Sequence, residues 1–334
     1  MSAAADSNAH LSDRDPLLTP PEFADVQQAA NRIQGHIHRT PVLSSTLIND
    51  RVGGCLFFKC DNFQKTGAFK FRGACNTIMS LSDAELARGV VTHSSGNHAA
   101  ALCYAASLRG ASATVVMPSN ANEVKKTAVR CYGGTIIECE PNTQAREYAM
   151  AQLVEHQQMV PVVPFDDARV IAGQGTASLE FFEQVPDLEC LIAPVGGGGM
   201  LSGSVISAQA LKPQLQVYGA EPANADDSYQ SLRAGRRCPL EGTPDTLADG
   251  LRTSIGELTF PIIQNGVSDI LLASEQSIIA AMRLVWERMK ILIEPSSAVA
   301  LAVLIDNPTV LAGKRTGIIL TGGNVDLDQL PWNT

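Results

Sequence analysis

The sequence predicts an α/β protein made of two open, parallel-type sheets covered by helices. Three observations carry that expectation. From Gly89 onward, short β-branched runs alternate with helical stretches, the strand–turn–helix rhythm of a parallel sheet. The same rhythm returns between Cys190 and Leu320. Within that second run four consecutive glycines, Gly196 to Gly199, end one expected strand and open a helix. At 334 residues the chain is long enough for two such bodies, each with its own core.

Residues 1–20 are rich in Ala, Ser, Asp and Pro and lack the basic n-region and apolar h-region of a signal peptide, so a disordered tail is expected. The spacing of Phe23, Val26, Ala30 and Ile33 predicts a helix over 22–33. Residues 40–45 read as an extended piece and 56–60 as a short strand, followed by a helix that runs from the Lys70 segment to about Leu81. Strands are then expected at 90–92, 113–117 and 135–138, with helices over 99–108, 122–132 and 143–157. In the second region the strands are 190–195, 216–220, 270–273 and 317–320, with helices near 200–211, 275–290 and 296–305. The segment before the first compact unit is expected to return onto the second region. That makes the domains discontinuous: 21–87 with 166–334 as the large one, and 88–165 as a small mobile one.

Composition narrows the function. Hydrophobic content of 45% with 18% charged residues indicates a soluble globular protein, and no apolar run is long enough to span a bilayer. A net charge of −9 argues against nucleic acid as a partner. The eight cysteines form no Cys-x-x-Cys pair and no His-Glu-x-x-His occurs, which disfavours zinc. Their scatter suits a reducing cytosol better than a disulfide scaffold, so a cytoplasmic location is expected.

Five stretches carry candidate chemistry. Lys70 lies between Phe69 and Phe71 in a Thr-Gly-Ala turn leading into a helix. A lysine held among apolar groups loses hydration of its ammonium, and its amine becomes able to attack a carbonyl. The competing reading is an ordinary lysine snorkelling to solvent. Gly196 to Gly199, followed by Met200, leave successive N–H groups open at a helix start, an anion cradle suited to phosphate. Neither a Gly-x-Gly-x-x-Gly fingerprint nor a Walker A ending is present, and a flexible turn is the alternative. Ser94, Ser95, Asn97 and His98 join a strand to a helix and could hold a carboxylate, or simply cap the helix. Thr321-Gly322-Gly323-Asn324 follows the last strand, where open α/β sheets bind ligands. The carboxylates and exposed backbone carbonyls between Glu221 and Asp227 lie at short spacing that suits a hard cation, with a solvated acidic turn as the alternative.

Taken in order, Thr-Gly-Ala-Phe-Lys-Phe-Arg-Gly-Ala, Ser-Ser-Gly-Asn-His, the glycine loop and Thr-Gly-Gly-Asn resemble the pyridoxal-phosphate enzymes of fold type II, the tryptophan synthase β-subunit fold. The resemblance runs from about residue 22 to 330. It falls on the serine racemase and serine/threonine dehydratase branch, through 221–231, 285–295 and 321–327. It implies two open α/β domains with the cofactor in the cleft between them. Lys70 would carry the cofactor as a Schiff base and act as base on one face of the substrate. Phe69 would pack on the cofactor ring and Asn97 would bond its phenolic oxygen. Gly196, Gly197, Gly198, Gly199 and Met200 would hold the phosphate, and Thr321 would meet the pyridine nitrogen. A neutral hydroxyl there makes the ring a moderate electron sink, suited to α-proton removal and β-elimination. Ser94, Ser95, Asn97 and His98 would bind the substrate carboxylate, with Ser95 the acid/base on the opposite face. Arg146 would reach the substrate side chain and also suits a β-carboxylate.

The same likeness implies Mg²⁺, Mn²⁺ or Ca²⁺ on Glu221, Ala225 and Asp227. It implies a homodimer and an activating ATP site through Ser45, Thr46, Lys65, Thr66, Tyr132, Lys290 and Asn324. Ala100 stands where animal racemases carry a glutamine, which departs from the nucleotide pattern, and Phe165 stands where they carry asparagine. The expected activity is interconversion of L- and D-serine with accompanying dehydration to pyruvate and ammonia. The alternative is an ammonia-lyase for L-threo-3-hydroxyaspartate or L-threonine. A silent binder of the cofactor or of an amino acid would lack the need for Lys70 and Ser95, and a NAD-dependent dehydrogenase would need the missing fingerprint.

Overall fold

The computed structural model describes residues 19–94, 96–121 and 123–332. All but the last two residues of the tail expected over 1–20 lie outside them. The strands are β1 (Val42–Leu43), β2 (Cys55–Cys60), β3 (Val90–His93), β4 (Ala113–Pro118), β5 (Thr135–Cys139), β6 (Val160–Pro161), β7 (Cys190–Pro194), β8 (Gln216–Pro222), β9 (Asp269–Ala273) and β10 (Arg315–Leu320). The first seven helices are α1 (Phe23–Ile33), α2 (Thr46–Val52), α3 (Lys70–Ser80), α4 (Asp83–Ala87), α5 (Asn97–Ser107), α6 (Glu123–Cys131) and α7 (Thr143–Gln157). The others are α8 (Ala168–Gln184), α9 (Gly199–Leu211), α10 (Asp227–Ala234), α11 (Thr259–Gly266), α12 (Glu275–Met289) and α13 (Pro295–Asp306).

Two sheets form. The larger has the order β1-β2-β10-β7-β8-β9, parallel throughout except for the short edge strand β1. The smaller, β5-β4-β3-β6, is wholly parallel. Strand period decides which core each residue enters. On β10, Ile318 joins Phe58, Ile192 and Leu301 under α12 and α13, while Ile319 joins Phe181, Leu201 and Ile263 under α8, α9 and α11. On the smaller sheet Val90 and Val115 face α3 and α5, while Val91 and Val116 face α7. Helices on both faces explain why β7 reads as one apolar run, with every residue buried.

The expected strands and helices sit within a few residues of their predicted places. The longest helix, α8, carries no expectation in the sequence reading. Its Ala-Gly-Gln-Gly-Thr-Ala stretch is buried on most sides and lacks a polar face, so no helical stripe stands out. The glycines are helix contacts. A Cβ on Gly173 would meet Gly73 Cα at 2.6 Å, and one on Gly203 would meet Gly175 N at 2.5 Å. α3, α8 and α9 therefore approach to backbone distance.

Candidate active site

The order of strands gathers motifs that are far apart in the chain. β2, β10 and β7 are parallel neighbours, so the segments that leave their carboxyl ends meet. β2 leads to Lys70, β10 to Thr321, and β7 to Gly196. This is the edge at which open α/β sheets take ligands. The Lys70 segment is sewn to the end of β10: Phe69 N–H donates to Thr321 O at 2.9 Å, Gly323 N–H to Gly67 O at 2.9 Å, and Asn324 Nδ2 to Thr66 O at 2.8 Å. Thr66 at φ 61° and Gly67 at φ 74° reverse the chain just before α3.

Lys70 opens α3 with its Nζ 5.0 Å from the Phe69 ring centroid and donating to Pro164 O at 2.7 Å. Burial lowers its pKa to about 8, against the opposing pull of Glu294. Its amine is thus available near neutral pH, as a Schiff-base lysine requires. The glycine loop lies at the start of α9, with Gly198 at φ +91° in a conformation that side chains resist. The Phe165 ring rests on Gly197 so closely that no Cβ could stand there. The cradle, the buried amine and Thr321 fit a phosphorylated carbonyl cofactor.

Asn97, at the start of α5, links the two sheets. Its Nδ2 donates to Glu294 Oε1 at 2.8 Å and its Oδ1 accepts from Asn324 Nδ2 at 2.9 Å. One amide hydrogen is left for a phenolic oxygen. Glu294 is buried, and burial followed by the charge of Asp249 raises its pKa to about 8. The sequence does not mark it as a site residue, since a lone glutamate before Pro295 carries no local signature. Pro164 gives no side-chain signal of its carbonyl's role.

His98 is buried with Nε2 3.0 Å from Val162 O, and burial plus the charge of Lys70 lowers its pKa to about 3. A neutral ring facing a carbonyl must donate from Nε2, so Nδ1 is an acceptor; it has no partner among the described residues. Any help His98 gives a carboxylate therefore comes from its backbone N–H. Ser94 Oγ accepts from Gly96 N–H at 3.3 Å. Ser95 lies outside the described residues. Arg146, on α7, is close enough to His93 to help lower the imidazole pKa, after burial.

Glu221 lies near the carboxyl end of β8 and Asp227 opens α10, away from Lys70 in sequence and strand order. Glu221 accepts Ser228 N–H at 3.0 Å and Tyr229 N–H at 2.9 Å, and Asp227 Oδ2 accepts Ile255 N–H at 2.8 Å. Both are buried, and burial raises Glu221 to about 8 and Asp227 to about 6. Asp227 Oδ1 is buried with no partner among the described residues. Two buried carboxylates, one of them with an unpartnered oxygen, fit a hard cation. Among the expected nucleotide residues, Lys65 Nζ stands 5.8 Å from the Tyr104 ring, which is 5.3 Å from that of Tyr132. Thr66 and Asn324 bond to each other as above. Ser45 and Thr46 start α2, and Lys290 caps the far end of α12.

The family model described as pyridoxal-phosphate dependent enzyme matches residues 33–322. The β-hydroxyaspartate dehydratase of Paracoccus denitrificans (strain Pd 1222) is 50% identical over 313 residues, covering 94% of this chain and 99% of that one. The serine racemase of Dictyostelium discoideum is 50% identical over 312 residues, covering 92% and 95%. The solved structure of maize serine racemase superposes with a TM-score of 0.91 at 44% identity, over 94% and 96% of the two chains. The site and these likenesses agree, and the chain belongs to the pyridoxal-phosphate dependent enzymes.

Proposed function

We propose that the protein interconverts L- and D-serine and also dehydrates serine to pyruvate and ammonia. The observation that carries this reading is Lys70. Its buried amine, with pKa lowered to about 8, donates to Pro164 O, one residue before the Phe165 ring that covers the glycine loop. When bound, pyridoxal phosphate supplies an electron sink for the charge left as Cα loses its proton. Lys70 holds the cofactor and moves that proton on one face. Ser95 serves the opposite face, since racemisation needs a proton group on each side of Cα. Phe69 would pack on the ring, Asn97 would donate to the phenolic oxygen, Thr321 would meet the pyridine nitrogen, and Gly196 to Gly199 with Met200 would take the phosphate. Ser94, Ser95, Asn97 and the His98 N–H hold the substrate carboxylate. Residues 88–165 form the small mobile domain and the remainder from 21 the large one.

Mg²⁺ or a similar cation sits on Glu221, Ala225 and Asp227. The enzyme is a cytoplasmic homodimer, with ATP held by Ser45, Thr46, Lys65, Thr66, Tyr132, Lys290 and Asn324. The eight unpaired cysteines suit that compartment, and among the described residues no helix is long and apolar enough to cross a membrane.

A second reading, dehydration of L-threo-3-hydroxyaspartate, is favoured by the Paracoccus relative and by Arg146, whose guanidinium suits a β-carboxylate. Keto-acid release from L-serine, L-threonine and L-threo-3-hydroxyaspartate, measured side by side in wild type and Arg146→Ala, separates the two. Faster release from serine, little changed by Arg146→Ala, supports the first reading. Faster release from hydroxyaspartate, lost in Arg146→Ala, replaces it with the second.

A further inference from the structure

The chain returning from the small sheet touches three parts of the site within three residues. Pro164 O accepts from Lys70 Nζ at 2.7 Å. The Phe165 ring covers Gly197, and its Cβ would be 3.1 Å from one placed on Gly199. Asp166 turns to α11, accepting from Glu257 N–H at 2.8 Å, Leu258 N–H at 2.9 Å and Thr259 N–H at 3.2 Å. The residue at the cap position of α11 is Leu258, whose side chain accepts nothing. Asp166 thus provides, from a distant part of the chain, the cap that α11 lacks.

The capped turn in turn grips the glycine loop. Thr259 Oγ1 donates to Gly197 O at 2.7 Å and accepts Gly256 N–H at 2.9 Å. The same Gly256 N–H also points at the Gly197 carbonyl, at 3.3 Å. In a planar trans peptide the C=O and the following N–H point in opposite directions. Pinning Gly197 O onto Thr259 therefore turns the Gly198 N–H away from α11.

We infer that Asp166 is a positioning residue for the glycine loop: by capping α11 it keeps Thr259 on Gly197 O and so presets the loop's N–H groups for the cofactor phosphate. The inference rests on the reading of Gly196 to Gly199 as the phosphate cradle. It concerns affinity for the cofactor, and Asp166 itself touches no reacting atom.

The test is titration of the apoproteins with pyridoxal phosphate, read by Schiff-base absorbance and by the ³¹P resonance of the bound phosphate, beside apoprotein melting. Asp166→Ala and Thr259→Val should each weaken binding about tenfold, ~1.4 kcal/mol, and shift the ³¹P resonance. Asp166→Asn keeps an oxygen for Leu258 and Thr259 and should recover most of the loss. Ser274→Ala, which removes the cap of α12, should lower the melting temperature of the apoprotein and leave cofactor affinity unchanged. The inference is overturned if Asp166→Ala loses no more affinity than Ser274→Ala. Should Asp166→Ala not fold, Asp166→Asn and Thr259→Val decide by the same comparison. Gly198→Ala tests the cradle itself. Full affinity in that variant overturns the phosphate reading, whereas loss there with none in Asp166→Ala overturns only the positioning role.

Discussion

Lys70 can serve a carbonyl cofactor because desolvation has already removed part of the cost of deprotonating it. Its amine is protonated below about 8 and neutral above, whereas an ordinary lysine would titrate at 10.5. The rate at which apoprotein combines with pyridoxal phosphate should therefore rise with pH through about 8 and then level; a rate still climbing at 10.5 would contradict the buried site. Glu294 makes the opposite case. Its folded pKa is raised from 4.5 to about 8, so its contribution to stability is full below 4.5 and is lost as pH rises through about 8. Glu294→Gln cannot ionise and should become more stable relative to wild type as pH rises through that window, while Glu294→Ala strands the Asn97 amide at a cost of about 1–3 kcal/mol. Parallel melting curves at all pH values would refute this. In the sequence the glycine loop stands out by residue type, whereas the parts given to Lys70 and Thr321 gain weight from the order of motifs and the likeness to a family. Glu294 and Pro164 do not stand out, since a lone glutamate carries no local signature and the proline acts through a carbonyl.

Among the elements, strands were read closely because β-branched apolar runs of buried parallel sheets stand out against their turns. α8 escaped because its glycines read as turn punctuation, whereas they let α3, α8 and α9 touch backbone to backbone. A Cβ added at Gly203, on α9, would meet backbone atoms of Gly175 and Ile171, so Gly203→Ala should cost about 1–3 kcal/mol in a denaturant melt. A neutral result would mean the helices can part without penalty. The same packing sets the direction of Lys70, since α3 carries it and Arg72, two residues on, is tied to Asp61 at 2.7 Å and to Glu180 on α8 at 2.8 Å.

Across the molecule, two sheets bring their loops to one cleft, bridged by Lys70 to Pro164, Asn97 to Glu294 and Lys125 to Asp249. Sequence order hides this, because β10 is the last strand and lies between β2 and β7. Only the likeness of motifs to a family made the cleft foreseeable. The Glu221–Asp227 turn sits apart from it in strand order, and a cation bound there would act on stability: EDTA should lower the melting temperature and Mg²⁺ should restore it, because a cation would satisfy Asp227 Oδ1. No response to either would refute a cation there. Racemisation is tested by giving the holoenzyme L-serine with Mg²⁺ and following D-serine by chiral chromatography and pyruvate together. D-serine and pyruvate are expected from wild type and neither from Lys70→Ala. Pyruvate with no D-serine would contradict this expectation and make the enzyme a dehydratase.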